Sequence, residues 1–243
     1  MIGALLLALS WLLLRLEGRG LRALGFDQPR RRAREAAVGI LFLGGVAPVQ
    51  HIGHALAAGD AFVPNPALEP RTLLERLRFT VNSVLYEELL FRGYLLHRAI
   101  RWLGAPRAVL LDAAVFGVYH WFSYGAFGNP VLLAYLLLMT GAMGFMWARA
   151  FVVTGSVVAP IALHFGWNAI SHLVFSAGPL GAALLVPRSG NPRVEVSGWA
   201  SLRLDVVLPL LAVGLAERYF RRSERRRAQA RAEPVGPAAV EHA

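Results

Sequence analysis

The sequence contains no cysteine and no lysine. Without thiols, disulfide staples, thiolate metal sites and cysteine nucleophiles are all excluded. Without lysine, every strong cation is an arginine. Charge of any kind is scarce: 16% of the 243 residues are charged, against about a quarter in a soluble domain. Other signatures are missing as well. No His-Glu-x-x-His occurs, so the usual helical zinc-protease signature is absent. Asp112 is the one aspartate well inside an apolar run, which argues against a paired-aspartate site. Neither Ser156 nor Ser171 sits in a nucleophile-elbow pattern. No internal repeat is evident, which weakens a transporter reading built on inverted repeats.

What is present is apolar length. The chain is 56% hydrophobic, with a mean hydropathy of +0.49, so the bilayer is its expected solvent. At about twenty residues per span, seven candidates fall near 2–16, 37–58, 79–98, 106–123, 130–149, 156–177 and 204–219. A run at 179–187 is too short to span and suits a re-entrant piece. The expectation is an all-α, polytopic membrane helix bundle of about seven to eight spans, one domain over 1–220 with its core at 79–177. Residues 221–243 read as a basic, flexible tail.

The net charge of +10 does not point to nucleic acid. Arginines concentrate at Arg15–Arg34 and Arg218–Arg231, flanking apolar spans. That is the pattern of cytoplasmic loops, with anionic lipid headgroups as partners. Loops 15–35 and 98–107, Arg149 and the tail should share the cytoplasmic side, giving a cytoplasmic C-terminus. Arg71, Arg76 and Arg78 fall opposite and count against it. The first apolar run lacks a basic n-region and a cleavage site, and reads as a retained helix.

Three spans carry polar constellations. Glu87, Glu88 and Arg92 lie within two helical turns, although each ionisable side chain costs roughly 2.5–3.5 kcal/mol near the bilayer centre. Glu88 and Arg92, four apart, share a helix face and can pair. Glu87 points about 100° away, free to face a cavity. Phe116 and His120 share a face of the next span, and His164 and Asn168 do so in the sixth, with His172 four residues further on. Taken singly, the first reads as a site or a buried network joining helices, His120 as a headgroup-level anchor, and His164 with Asn168 as an interhelical hydrogen bond. Together they suit amide hydrolysis, Glu87 and His120 holding and deprotonating a water while His164 and Asn168 meet the oxyanion. A zinc ion on Glu87, His120 and His164 is the rival use of the same atoms; the metal-free version is preferred, with no cofactor. His51-Ile52-Gly53-His54 spells a synthetase motif without an α/β context, and both histidines read as interfacial.

These residues together resemble the CAAX-processing and bacteriocin-processing family of intramembrane glutamate proteases. Its three motifs, Glu-Glu-x-x-x-Arg, Phe-x-x-x-His and His-x-x-x-Asn, are met in order by Glu87, Glu88 and Arg92, by Phe116 and His120, and by His164 and Asn168. The resemblance covers about 80–170. It implies Glu87 as the catalytic glutamate, His120 as its partner on water, His164 and Asn168 at the oxyanion, and Glu88 and Arg92 in support. It also implies an intramembrane endopeptidase. The all-arginine, alanine- and leucine-rich composition suggests a bacterial inner membrane protein from a GC-rich genome, and a membrane-anchored or precursor protein as substrate. The alternative is a non-catalytic membrane protein that binds peptide or lipid, or scaffolds a partner, in the same pocket.

Overall fold

In the computed structural model, which describes residues 2–191, 194 and 196–232, the chain is a bundle of helices. They are α1 (Ile2–Leu16), α2 (Pro29–Ala57), α3 (Pro70–Phe91), α4 (Tyr94–Leu103), α5 (Ala105–Ser123), α6 (Pro130–Thr154), α7 (Val158–Ala169), α8 (Gly198–Ser201) and α9 (Leu208–Ala232). Helix α7 runs on as a π-helical turn, Ile170–Val174, and a second π-helical segment, Leu202–Val207, joins α8 to α9. Prolines open α2, α3, α5 and α6, where the missing N–H costs nothing. Asn129 also caps α6, its side chain accepting from Leu132 N at 3.0 Å.

Three stretches are long and apolar enough to cross a membrane, Leu21–Ala57, Pro130–Thr154 and Gly198–Ala230. Large apolar side chains are exposed along most helices, such as Leu41, Leu110 and Val131. A water-soluble protein would not leave that surface bare; this is a membrane protein. Close backbone contact replaces the hydrophobic effect between helices. A Cβ on Gly166 of α7 would lie 2.6 Å from Ile40 O of α2, so this helix pair meets on glycine. Two buried clusters fill the interior. One joins Leu43, Phe91, Phe116, Met146, Trp147, Leu163 and Phe220, the other Leu14, Leu24, Leu89, Val109 and Phe151.

One end of the bundle collects the arginines. Arg31 Nη2 donates to Thr154 O at 2.9 Å, Arg227 donates to Val153 O, and Glu17 pairs with Arg98 and Arg101. Arg149 on α6 pairs with Glu217 and Glu224 on α9. These ties, with the Glu217–Arg221 pair, carry α9 through to Ala232. The tail expected from 221 therefore begins as helix, and its remainder from 233 lies outside the described residues.

Two other expectations are corrected. The span placed at 79–98 breaks after Arg92, at Gly93, into α3 and α4. The run at 179–187, expected as a re-entrant piece, forms no helix. It ends in a strand, β2 (Leu185–Pro187), paired antiparallel with β1 (Phe62–Pro64). This ladder closes the end of the bundle opposite the arginines, where Arg76 also caps the carbonyls of Leu180 and Gly181.

Candidate active site

The break at Gly93 leaves Glu87, Glu88 and Arg92 at the C-terminal end of α3, facing α5, α6 and α7. Glu88 and Arg92 are wholly buried. Arg92 Nη1 lies 3.3 Å from Glu88 Oε1, and Arg92 Nε lies 2.8 Å from Asp112 Oδ2 of α5. The second contact is an ion pair by distance but lies off hydrogen-bond alignment, since neither atom has a hydrogen-bond partner among the described residues. The guanidinium also packs over Phe116 at 4.3 Å, and over Trp147 and Phe91 at 5.4 and 5.5 Å. Its charge is thus held between two carboxylates and three aromatic faces. A Cβ on Gly144 of α6 would come within 2.8 Å of Arg92 Nη2, so glycine makes room for the guanidinium there.

His164 is the other centre of the network. Its Nδ1 lies 2.9 Å from Glu88 Oε1, and its Nε2 lies 3.0 Å from Asn168 Nδ2. An amide nitrogen can only donate and a carboxylate only accept. Together the two contacts select the neutral tautomer with the proton on Nδ1. Trp147 stacks on the imidazole at 4.1 Å and 12°, which fixes the plane of the ring.

Glu87 stands apart from this web. Its Oε2 lies 4.0 Å from His164 Nε2, beyond hydrogen-bond reach. No hydrogen bond reaches its carboxylate among the described residues, and its side chain keeps 15% of its surface exposed. His120, on α5, donates from Nδ1 to Phe116 O at 2.8 Å, which leaves Nε2 bare of a proton in the neutral ring. It makes no hydrogen bond with Glu87 or His164. An aromatic chain connects it instead: His120 to Phe116 at 4.5 Å, Phe116 to Trp147 at 5.4 Å, and Trp147 to His164.

The structure therefore gathers Glu87, Glu88, Arg92, His164 and Asn168 tightly, with His120 at the edge. Two members were not singled out from the sequence as site residues. Asp112 had been seen only as a lone intramembrane aspartate, and that burden was its signal. Trp147 had none. Among the described residues no group of three His, Asp or Glu side chains is spaced to hold a metal ion, and Glu87, His120 and His164 form no such group.

His51 and His54, expected at the interface, take partners within the bundle. His51 is buried with Nε2 3.0 Å from Ser171 Oγ, and His54 Nε2 lies 2.8 Å from Asp205 Oδ1. Both partners stand on the π-helical segments, whose extra residue per turn turns them toward α2.

A buried glutamate–arginine–histidine network inside a membrane helix bundle defines a class: membrane proteins with a polar, charge-bearing core. Residues 69–170 match the family model described as Type II CAAX prenyl endopeptidase Rce1-like. This is the CAAX-processing family that the three motifs resemble, and the matched segment runs from the start of α3 to the end of α7, carrying all three. Over that segment the chain is similar to CAAX-protease-like intramembrane proteins. No curated protein and no solved structure matches it.

Proposed function

We propose that the protein is an intramembrane endopeptidase of the glutamate type, with Glu87 as general base. The observation that carries this reading is the contrast between the two neighbouring carboxylates. Glu88 is fully buried and engaged by Arg92 and His164, whereas Glu87 is unpartnered and partly open. A carboxylate so held takes a proton from water readily, having no competing donor. The water oxygen adds to the scissile carbonyl carbon, and Glu87 passes the proton on to the leaving amide nitrogen as the C–N bond breaks. His120, with Nε2 free, steadies the water from the opposite side.

The oxyanion falls to Asn168. One N–H of its amide is given to His164 Nε2, and the second is available. In the neutral Nδ1–H tautomer, His164 Nε2 accepts from Asn168 and has no proton to offer an oxyanion. Its first duty is therefore to aim Asn168. Donors positioned before reaction in a water-poor site are worth about 10²–10³ in rate each.

The substrate that suits a site sunk among helices is a membrane-anchored or precursor protein. The arginine-rich end supports a cytoplasmic C-terminus, and the arginine-only, alanine- and leucine-rich composition supports a bacterial inner membrane. The decisive experiment is proteolysis of anchored-tail and precursor peptides by purified protein, beside Glu87→Ala, with and without chelator. Cleavage lost in the variant and indifferent to chelator is the expected result. Cleavage lost to chelator would replace this mechanism with a zinc shell. A folded protein that cleaves no peptide would overturn the enzyme reading in favour of a binding or scaffold role.

A further inference from the structure

Away from this site, α2, α6, α7 and α9 enclose a cavity of about 430 Å³, within the roughly 300–1,000 Å³ range of small-molecule sites. Its walls are apolar, including Phe42, Leu163, Ala216 and Phe220. An apolar cavity stays dry rather than filling with water. It opens outward between α2 and α9, where Val38, Leu215 and Tyr219 are 48%, 58% and 59% exposed. In a membrane protein that opening faces hydrocarbon.

The rim lies at the arginine-rich end and consists of Arg31, Arg34, Glu35 and Thr154. Arg31 is clamped there, Nε to Glu35 at 2.9 Å and Nη2 to Thr154 O at 2.9 Å. Glu35 is shared between Arg31 and Arg32. Arg34 has no ion-pair partner among the described residues, so the rim carries a surplus positive charge above an apolar slot.

We propose that this cavity is a binding site for one anionic glycerophospholipid, with an acyl chain against Leu163 and Phe220 and the phosphate held by Arg34 and Arg31. Tyr219 at the mouth suits the headgroup level, where an aromatic body meets lipid and its hydroxyl meets water. Because Leu163 directly precedes His164, the lipid chain braces α7 from behind. The site does not depend on the endopeptidase reading.

The test is native mass spectrometry of the purified full-length protein in neutral detergent, with phosphatidylglycerol and phosphatidylcholine of identical chains. Wild type should hold one phosphatidylglycerol with about a fivefold preference, the effect of one arginine at headgroup level. Arg34→Gln should abolish the preference while lipid of either kind still binds. Leu215→Trp, at an exposed wall position, should plug the cavity and lose the retained lipid. Neutralising Arg225, Arg226 and Arg227 to Gln should leave the preference intact. Equal retention of both lipids by wild type, lipid kept by the plugged protein, or a preference that follows the tail arginines would each overturn the site. Displacement of the lipid by glycerol phosphate alone would also overturn it, since the chain would then contribute nothing.

Discussion

Replacing Arg92 by methionine keeps an unbranched apolar stem and removes the guanidinium with its charge. In the native protein the guanidinium lies 3.3 Å from Glu88 and 2.8 Å from Asp112, carboxylates with side-chain exposures of 0% and 6%. At an effective dielectric of about 20, opposite charges 4 Å apart attract by about 4 kcal/mol, so each contact is of that order before desolvation is counted. Glu88 keeps His164 as a partner after the change. Asp112 keeps none, and stranding a buried charge in this way costs about 3–5 kcal/mol. For a chain of this size that is a fall in Tm of about 6–20 °C, at roughly 2–4 °C per kcal/mol. Adding Asp112→Leu removes the stranded carboxylate and should return about 2–3 kcal/mol, the upper part of the range for directly coupled neighbours. Thermal unfolding of the four proteins of this cycle in one detergent, followed by tryptophan fluorescence, gives the coupling directly. If the double variant melts no higher than Arg92→Met, Asp112 does not counter Arg92 and the network is wrongly drawn.

Trp147→Leu removes the face on which His164 stacks. We expect a loss of about 2–4 kcal/mol in stability and a fall in kcat of about 10–100-fold from imidazole misplacement, read by peptide cleavage per folded molecule. Gly93→Ala puts a Cβ 2.1 Å from Leu89 O. Backbone cannot yield there cheaply, so α3 must shift, with at least about 1–3 kcal/mol lost and a lower Tm as the readout. Glu17 lies between α1 and the Leu21–Leu24 turn, and its carboxyl is held below the usual glutamate range, first by the Tyr94 hydroxyl and then by Arg98 and Arg101. A depressed folded-state pKa contributes stability above the ordinary glutamate range and loses it as pH falls through the folded value. Glu17→Gln should therefore melt below wild type at neutral pH, and the gap should close in acid.

The apolar runs and the three motifs were legible because each is a local pattern: twenty residues of one character, or two polar side chains four apart. The helix start at Pro130 was legible for the same reason, whereas α2 and α3 begin at Pro29 and Pro70, ahead of the apolar runs placed at 37 and 79, because their first turns are too polar to read as span. The break after Arg92 was not, because the apolar run continues through it and the sole local cue is a glycine. Asp112 was visible as a costly residue but not as a partner, since the arginine it faces stands on another helix. Trp147 was invisible: an aromatic in a membrane helix looks the same whether it faces lipid or an imidazole. The partner of His51 was hidden for a related reason, because Ser171 stands on another helix 120 residues on.

The position of the two glutamates on α3 has a consequence for the durability of the protein. They stand in the last five residues of a helix that ends at Phe91, at the pole where unpaired carbonyls gather partial negative charge. Lipid burial compounds that repulsion. A sequence selected for toughness alone would put arginine or a neutral residue at position 87. Under the role proposed for Glu87, the protein thus sits below its own stability optimum in this one turn, exchanging robustness for reactivity. Glu87→Gln, which should be inert, should also outlast the wild type on heating, and that would make it the better vessel for trapping an uncleaved substrate.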